Sequence, residues 1–256
     1  MAPTDPHLSE TRLLDFDALS ISKLIEDRGW KDLPQQNRIG AVYDFVRDEV
    51  AFGYNRADDI PASEVLADGY GQCNTKGTLL MALLRGVGIR CRLHGFTIHK
   101  ALQLGVVPEL VYPLAPSEIL HSWVEVETEG RWVNLEGFIL DEPFLQTLQQ
   151  EFSGTESLCG YGVGTDCLSD PPVAWTGRST YIQKTGIARD FGTFEAPDGF
   201  YSKHRQDFGF MRDLLYRHVI RHWMNARVRT IRRGVLPQNL GLSRPNHRHE
   251  ETNRAA

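Results

Sequence analysis

Apolar residues at spacings of three and four mark the first clear element of the chain. Ile39, Val42, Tyr43, Val46 and Val50 draw one stripe and predict an amphipathic helix behind Pro34. Phe16, Leu19, Leu24 and Ile25 predict a shorter helix before it, stopped at Gly29, after a loose lead-in over residues 1–15. The run Thr78-Leu79-Leu80-Met81-Ala82-Leu83-Leu84-Arg85 is a strong helix former closed by Gly86 and Gly88. It opens directly out of a glycine-bearing turn, Asp68-Gly69-Tyr70-Gly71-Gln72-Cys73. Residues 89–98 alternate and predict a strand, and a Pro- and Leu-rich connection spans 101–120.

Two alternating runs follow, His121–Thr128 and Arg131–Glu136, separated by Glu129-Gly130. A two-residue turn with glycine predicts a β-hairpin. In that register Thr128 faces Arg131, Trp123 faces Glu136 and His121 faces Phe138. His121, Trp123, Glu125, Trp132, Asn134 and Glu136 then share one face, and Val124, Val126, Val133 and Leu135 form the core side. From 151 to 210 the chain is rich in Gly, Pro and aromatics, with weak periodicity. Met211 to Arg233 returns to helical patterning, and the polar tail from Pro237 is expected to fray.

Composition narrows the classes. At 256 residues, 41% apolar and 10% aromatic, the chain fills a core and suits one large domain or a domain with an extension. Its 28 basic and 33 acidic residues give −5, which argues against a general nucleic-acid binder. Four cysteines in a chain this long make no disulfide framework. No apolar run reaches the roughly 18 residues of a membrane span, and Met1–Pro6 lack the features of a secretory signal. A soluble, cytoplasmic protein without nucleic-acid or membrane partners is the expectation.

Cys73 is the first candidate for chemistry. Free N–H groups and the positive dipole end at a helix start favour a thiolate over a thiol, and Gly69 and Gly71 permit a sharp approach. The alternative is a small buried hydrophobe, the reading kept for Cys91; Cys159 and Cys167 fit no common zinc spacing. His121 is the candidate base. Glu136, its diagonal neighbour across the hairpin at roughly 7–8 Å by Cα, is within reach to orient the imidazole. A solvated polar face is the plainer reading of the same alternation.

Gly71-Gln72-Cys73 with its Leu-rich helix and Gly88-Ile89-Arg90-Cys91-Arg92 resembles the nucleophile segment of the transglutaminase-like superfamily. His121–Val126 resembles its histidine strand, and Arg131–Glu136 its acid strand. Val46–Val50 followed by Phe52-Gly53-Tyr54 also fits, so the resemblance covers about residues 35–140. It implies a papain-like α+β core: an antiparallel sheet with the nucleophile helix packed on it. It also implies a Cys–His–acid triad and acyl chemistry through a thioester. No Asp/Glu cluster in the sequence resembles a calcium loop, so no cofactor is expected. Glu136 stands where the family has aspartate, which leaves Asp141 as its rival. The Cys73 backbone N–H is the expected oxyanion donor, with Gln72 or Tyr54 as a second, and Trp123 is expected to face substrate.

The expected organisation is a catalytic core over 1–150 with N-terminal helices, and an aromatic-rich extension and basic helix over 151–256 packed on it. Hydrolysis of a peptide or amide bond is the expected reaction. The alternatives are an acyl- or amide-forming transferase acting on a biosynthetic intermediate and a non-catalytic binding scaffold. The closing helix carries Arg212, Arg217, Arg221, Arg227, Arg229, Arg232 and Arg233 against Asp213, a net of +6. That charge suits an acidic or carrier-protein partner, or simple pairing with the acidic remainder.

Overall fold

The computed structural model describes residues 5–204, 209 and 214–236. The chain begins with helices α1 (Leu19–Asp27) and α2 (Gln35–Asp44), each in the predicted place. Gly29 sits at φ 61° after α1, and Pro34 stands immediately before α2. The α2 stripe continues through a wider π turn over Phe45–Glu49 and ends at Val50, where the backbone becomes extended. Strand β1 (Ala51–Phe52), helix α3 (Ala62–Asp68) and strand β2 (Tyr70–Gly71) lead into α4 (Cys73–Gly86). The short strands β1 and β2 pair in parallel, Ala51 with Tyr70 and Phe52 with Gly71.

Then come β3 (Cys91–His99), β4 (Glu118–Thr128), β5 (Arg131–Leu135), α5 (Glu142–Glu151), β6 (Leu158–Gly160), β7 (Val163–Thr165), β8 (Ile187–Phe194), α6 (Pro197–Lys203) and α7 (Arg221–Arg232). Strands β5, β4, β3 and β8 make a four-stranded sheet in that order, antiparallel throughout. The hairpin has the expected register: Thr128 faces Arg131, Val126 faces Val133 and Val124 faces Leu135. Glu129 and Gly130 both have positive φ, the twist that a two-residue hairpin turn requires. Pairing with β4 stops at Leu135, which also bridges to Thr180, so Trp123–Glu136 and His121–Phe138 are not ladder pairs.

Helix α4 is buried from Cys73 to Arg85 and lies on the Ser122/Val124 side of β4, where Gly77 meets Phe138, Val124 and Ser122. A helix buried all round must satisfy its polar side chains internally. Arg85 donates to the carbonyls of Ser9 (2.6 Å) and Cys91 (3.1 Å). Lys76 Nζ donates to Arg47 O and Ile139 O, each at 3.1 Å. Burial pushes the Lys76 ammonium down to about 7, against Asp141 and Asp48, which favour its charge, and with Arg232 and Arg47, which oppose it.

Helix α6 covers the same face as α4. Gly95 pairs with Ser122, and a Cβ on it would lie 2.4 Å from the Phe200 ring, so α6 packs directly on the backbone of β3. The sequence showed weak periodicity here, yet residues 187–194 supply the edge strand β8. This is an α+β fold built on an antiparallel sheet with α4 packed against it. The arginines of the closing helix are partly committed inward: Arg227 pairs with Glu109 and Arg232 with Asp141. Arg212 and Asp213 lie outside the described residues, as does the tail from Pro237. Among the described residues, no helix is long and apolar enough to cross a membrane.

Candidate active site

The turn into α4 is built so that Cys73 is its first residue. Gly69 closes α3 at φ 68°. A Cβ on Gly71 would lie 2.7 Å from Thr75 Oγ1 and 3.2 Å from the Lys76 backbone nitrogen, so this close approach has no room for a side chain. Gln72 is extended and caps the helix. Its backbone N–H donates to Thr75 Oγ1 at 3.1 Å, and its Nε2 donates to Asp58 Oδ1 at 2.7 Å. Cys73 follows, 8% exposed, with the unpaired N–H groups of a helix start around it.

His121 lies on β4 three residues past the last pair with β5, where the ribbon has opened. Its Nε2 meets Glu136 Oε1 at 2.8 Å, and both side chains are fully buried. Glu136 is itself fixed: Oε2 accepts the backbone N–H of Ile182 at 3.0 Å and of Gln183 at 3.1 Å. Thr180 closes the same corner, its hydroxyl accepting from the N–H groups of Glu136 (3.2 Å) and Gly137 (3.1 Å). On the other side of the ring, Nδ1 closes no hydrogen bond. Burial by itself would lower the His121 pKa. The charge and thiol of Cys73, and then the hydrogen bond and charge of Glu136, overcome that and raise it to about 10. The imidazole is thus flanked by a cysteine and an oriented carboxylate.

Asn74 joins the two halves. Its Nδ2 donates to Leu120 O at 3.1 Å, and its Oδ1 accepts from Ser122 Oγ at 3.0 Å. The residue after Cys73 therefore grips the residues on either side of His121. Asn74→Ala is expected to slow acylation of Cys73 by about tenfold or more, because small misplacements of reacting groups are costly. Stopped-flow acylation by an activated ester measures this, with a thermal melt as the check on folding.

The rival acid lies elsewhere. Asp141 caps α5 by accepting from the Phe144 N–H at 3.3 Å. It also accepts the Phe52 N–H at 2.7 Å and two bonds from Arg232 at 2.8 and 2.6 Å. Burial would raise its pKa, but Arg232 and the Phe52 amide hold it below the usual carboxylate range. It anchors α7 and makes no bond to His121.

A cavity of about 650 Å³ opens at Cys73, lined also by Gln72, Asn74, Tyr54, Asp58 and Gln183. Gln72 and Tyr54 both line it. The Tyr54 hydroxyl is engaged by Gln103 Oε1 at 2.7 Å. Trp123 does not line the cavity. Its ring centre lies 4.2 Å from that of Phe96, 5.3 Å from that of His94 and 5.8 Å from that of Tyr181. Buried among these rings and away from the cavity, it is not placed to meet substrate there. Cys91 is buried, its thiol pushed up to about 11, and all four cysteines are unbridged. Among the described residues no group of three or more His, Cys, Asp or Glu is placed to hold a metal ion.

Residues 27–137 match the transglutaminase-like superfamily. The matched part of the chain holds α4 and the β4–β5 hairpin. Among solved structures, the chain is similar to a protein of Cytophaga hutchinsonii named provisionally as a cysteine protease. That likeness has a TM-score of 0.43 and 14% identity, over 75% of this chain and 47% of the other. The chain thus spans about half the length of that protein. No curated protein matches.

Proposed function

We propose that this protein is a cysteine-dependent acyl enzyme in which Cys73 is the nucleophile, His121 the proton carrier and Glu136 the group that orients it. The reading is carried by one observation: a buried imidazole bonded on Nε2 to a fixed carboxylate, with Cys73 acting on it from the remaining side. Cys73 Sγ attacks an amide carbonyl. The Cys73 N–H and the second hydrogen of Gln72 Nε2, beyond the one held by Asp58, stabilise the oxyanion. His121 gives its proton to the departing amine, leaving a thioester. Water, activated by the same imidazole, then releases the acid and restores the thiol. Hydrolysis of an amide bond is the preferred reaction.

The raised His121 pKa fixes the sign of the pH dependence. The imidazolium persists above its ordinary value of about 6.5 and is lost as pH rises through about 10. Iodoacetamide should therefore alkylate Cys73 at a rate that changes less than about threefold between pH 6.5 and 8.5. Cys159, whose exposed thiol is raised by desolvation, should speed up steadily with pH over the same range. Peptide mass spectrometry of timed samples separates the two. A Cys73 rate that climbs in parallel with that of Cys159 rules out a Cys73 thiolate paired with the His121 imidazolium.

A further inference from the structure

The lining of the cavity at Cys73 mixes two chemistries. Asp58, Gln72 and Asn74 supply polar groups from the segment that carries the nucleophile. Val107, Val111, Leu114, Ile119, Ile220 and Met224 supply an apolar lining, drawn from the connection before β4, the start of β4 and the closing helical segment. The connection and the closing segment are tied by Arg227, whose Nη1 donates to Glu109 Oε1 at 2.9 Å and whose guanidinium lies 6.0 Å from the centre of the Trp223 ring. The apolar surface continues to the outside. Leu114 is 61% exposed and Trp223 42%, with Leu110, Leu215 and Val219 also facing solvent. Leu114 and Leu215 are at once exposed and part of the cavity lining, and exposed apolar residues at the lining of a cavity mark a ligand site.

Gln183 lines the same cavity and is 2% exposed. Its Nε2 donates to Gly162 O, while its Oε1 is buried and accepts nothing. A buried acceptor without a donor is rare, and an N–H on the ligand would satisfy it. Its backbone N–H already holds Glu136, so this side chain sits beside the proposed triad.

We infer that the acyl donor is a secondary amide with a long apolar acyl group, an N-acyl amine whose N–H reaches Gln183 Oε1 and whose chain lies along the apolar lining of the cavity. This rests on Cys73 being the nucleophile. Cys73 Sγ bonds to the acyl carbon, the C–N bond breaks, and the amine leaves with the proton of His121. Water then releases the long-chain acid and returns the thiol.

The test is a series of N-acetyl, N-butanoyl and N-octanoyl p-nitroanilides, followed by release of p-nitroaniline. Six further methylenes buried on going from acetyl to octanoyl should raise kcat/KM by at least about a hundredfold. Leu114→Glu, at a side chain exposed enough to be replaced without unfolding, should cut that octanoyl-to-acetyl ratio by at least about tenfold. Flat or falling values along the series overturn the inference, as does absence of turnover in protein whose Cys73 iodoacetamide alkylates selectively; in both cases the nucleophile stands. A chain-length preference that Leu114→Glu leaves intact overturns the location. If Cys73 is not the selectively alkylated thiol, the nucleophile assignment fails, and this inference with it.

Discussion

Cys73→Ala and His121→Ala are each expected to lower acyl turnover by about four to six orders of magnitude, with the double variant falling little further. The two side chains act as one unit. Without the thiol there is no atom to carry the acyl group. Without the imidazole there is no cation beside the sulfur and no proton for the leaving amine. Both variants remove side chains at the start of a helix and on a strand that pairs with β3 from Glu118 to Val126, so the fold should survive. Steady-state rates on one accepted amide, beside far-UV spectra and melts, check the prediction. Additive losses in the double variant would mean that the residues act separately.

The second large effect separates the two carboxylates. Glu136→Gln keeps the shape but cannot keep every bond. If its oxygen stays on the Ile182 and Gln183 amides, its NH2 faces His121 Nε2, which must then give up its hydrogen. The neutral ring would carry its proton on Nδ1, the wrong tautomer for accepting from Cys73. A loss of at least about a hundredfold in the acylation rate is expected. Asp141→Asn should leave that rate near wild type and act on stability instead, because it strips a carboxylate from Arg232 and from the Phe52 amide. Breaking such a pair costs about 3 kcal/mol. For a chain of this size that lowers Tm by roughly 10 °C. Rates and melts for both variants decide it, and loss of rate in Asp141→Asn with Glu136→Gln unaffected would exchange the two roles.

The hairpin and the residues around Cys73 were legible because each rests on side-chain pattern. Strict alternation on both sides of Glu129-Gly130 leaves one register that buries Val124, Val126, Val133 and Leu135. The same parity put His121 and Glu136 on one face, where they meet although the ladder ends at Leu135. The parts that were hidden rest on backbone groups or on distant cover. Glu136 is held by the amides of Ile182 and Gln183, which leave no trace in residue type. Strand β8 carries no clear alternation because it is an edge strand with partly exposed residues on both faces and shifts in its register with β3. Trp123 looked outward-facing because nothing local announces that Tyr181 and His94 close over it. Asn74 and Lys76 did carry a signal: polar residues at the head of a leucine-rich helix that proves buried throughout.

Acyl capture on Cys73 tests the central claim most directly. The folded protein is mixed with p-nitrophenyl acetate, quenched in acid within the burst, digested and mapped by mass spectrometry. The account predicts one acetyl group on the Cys73 peptide, none on those of Cys91, Cys159 or Cys167, and no fast adduct in His121→Ala. An unmodified Cys73 in well-folded protein, or acetylation of Cys159 and Cys73 at equal rates, would contradict it and leave a binding scaffold.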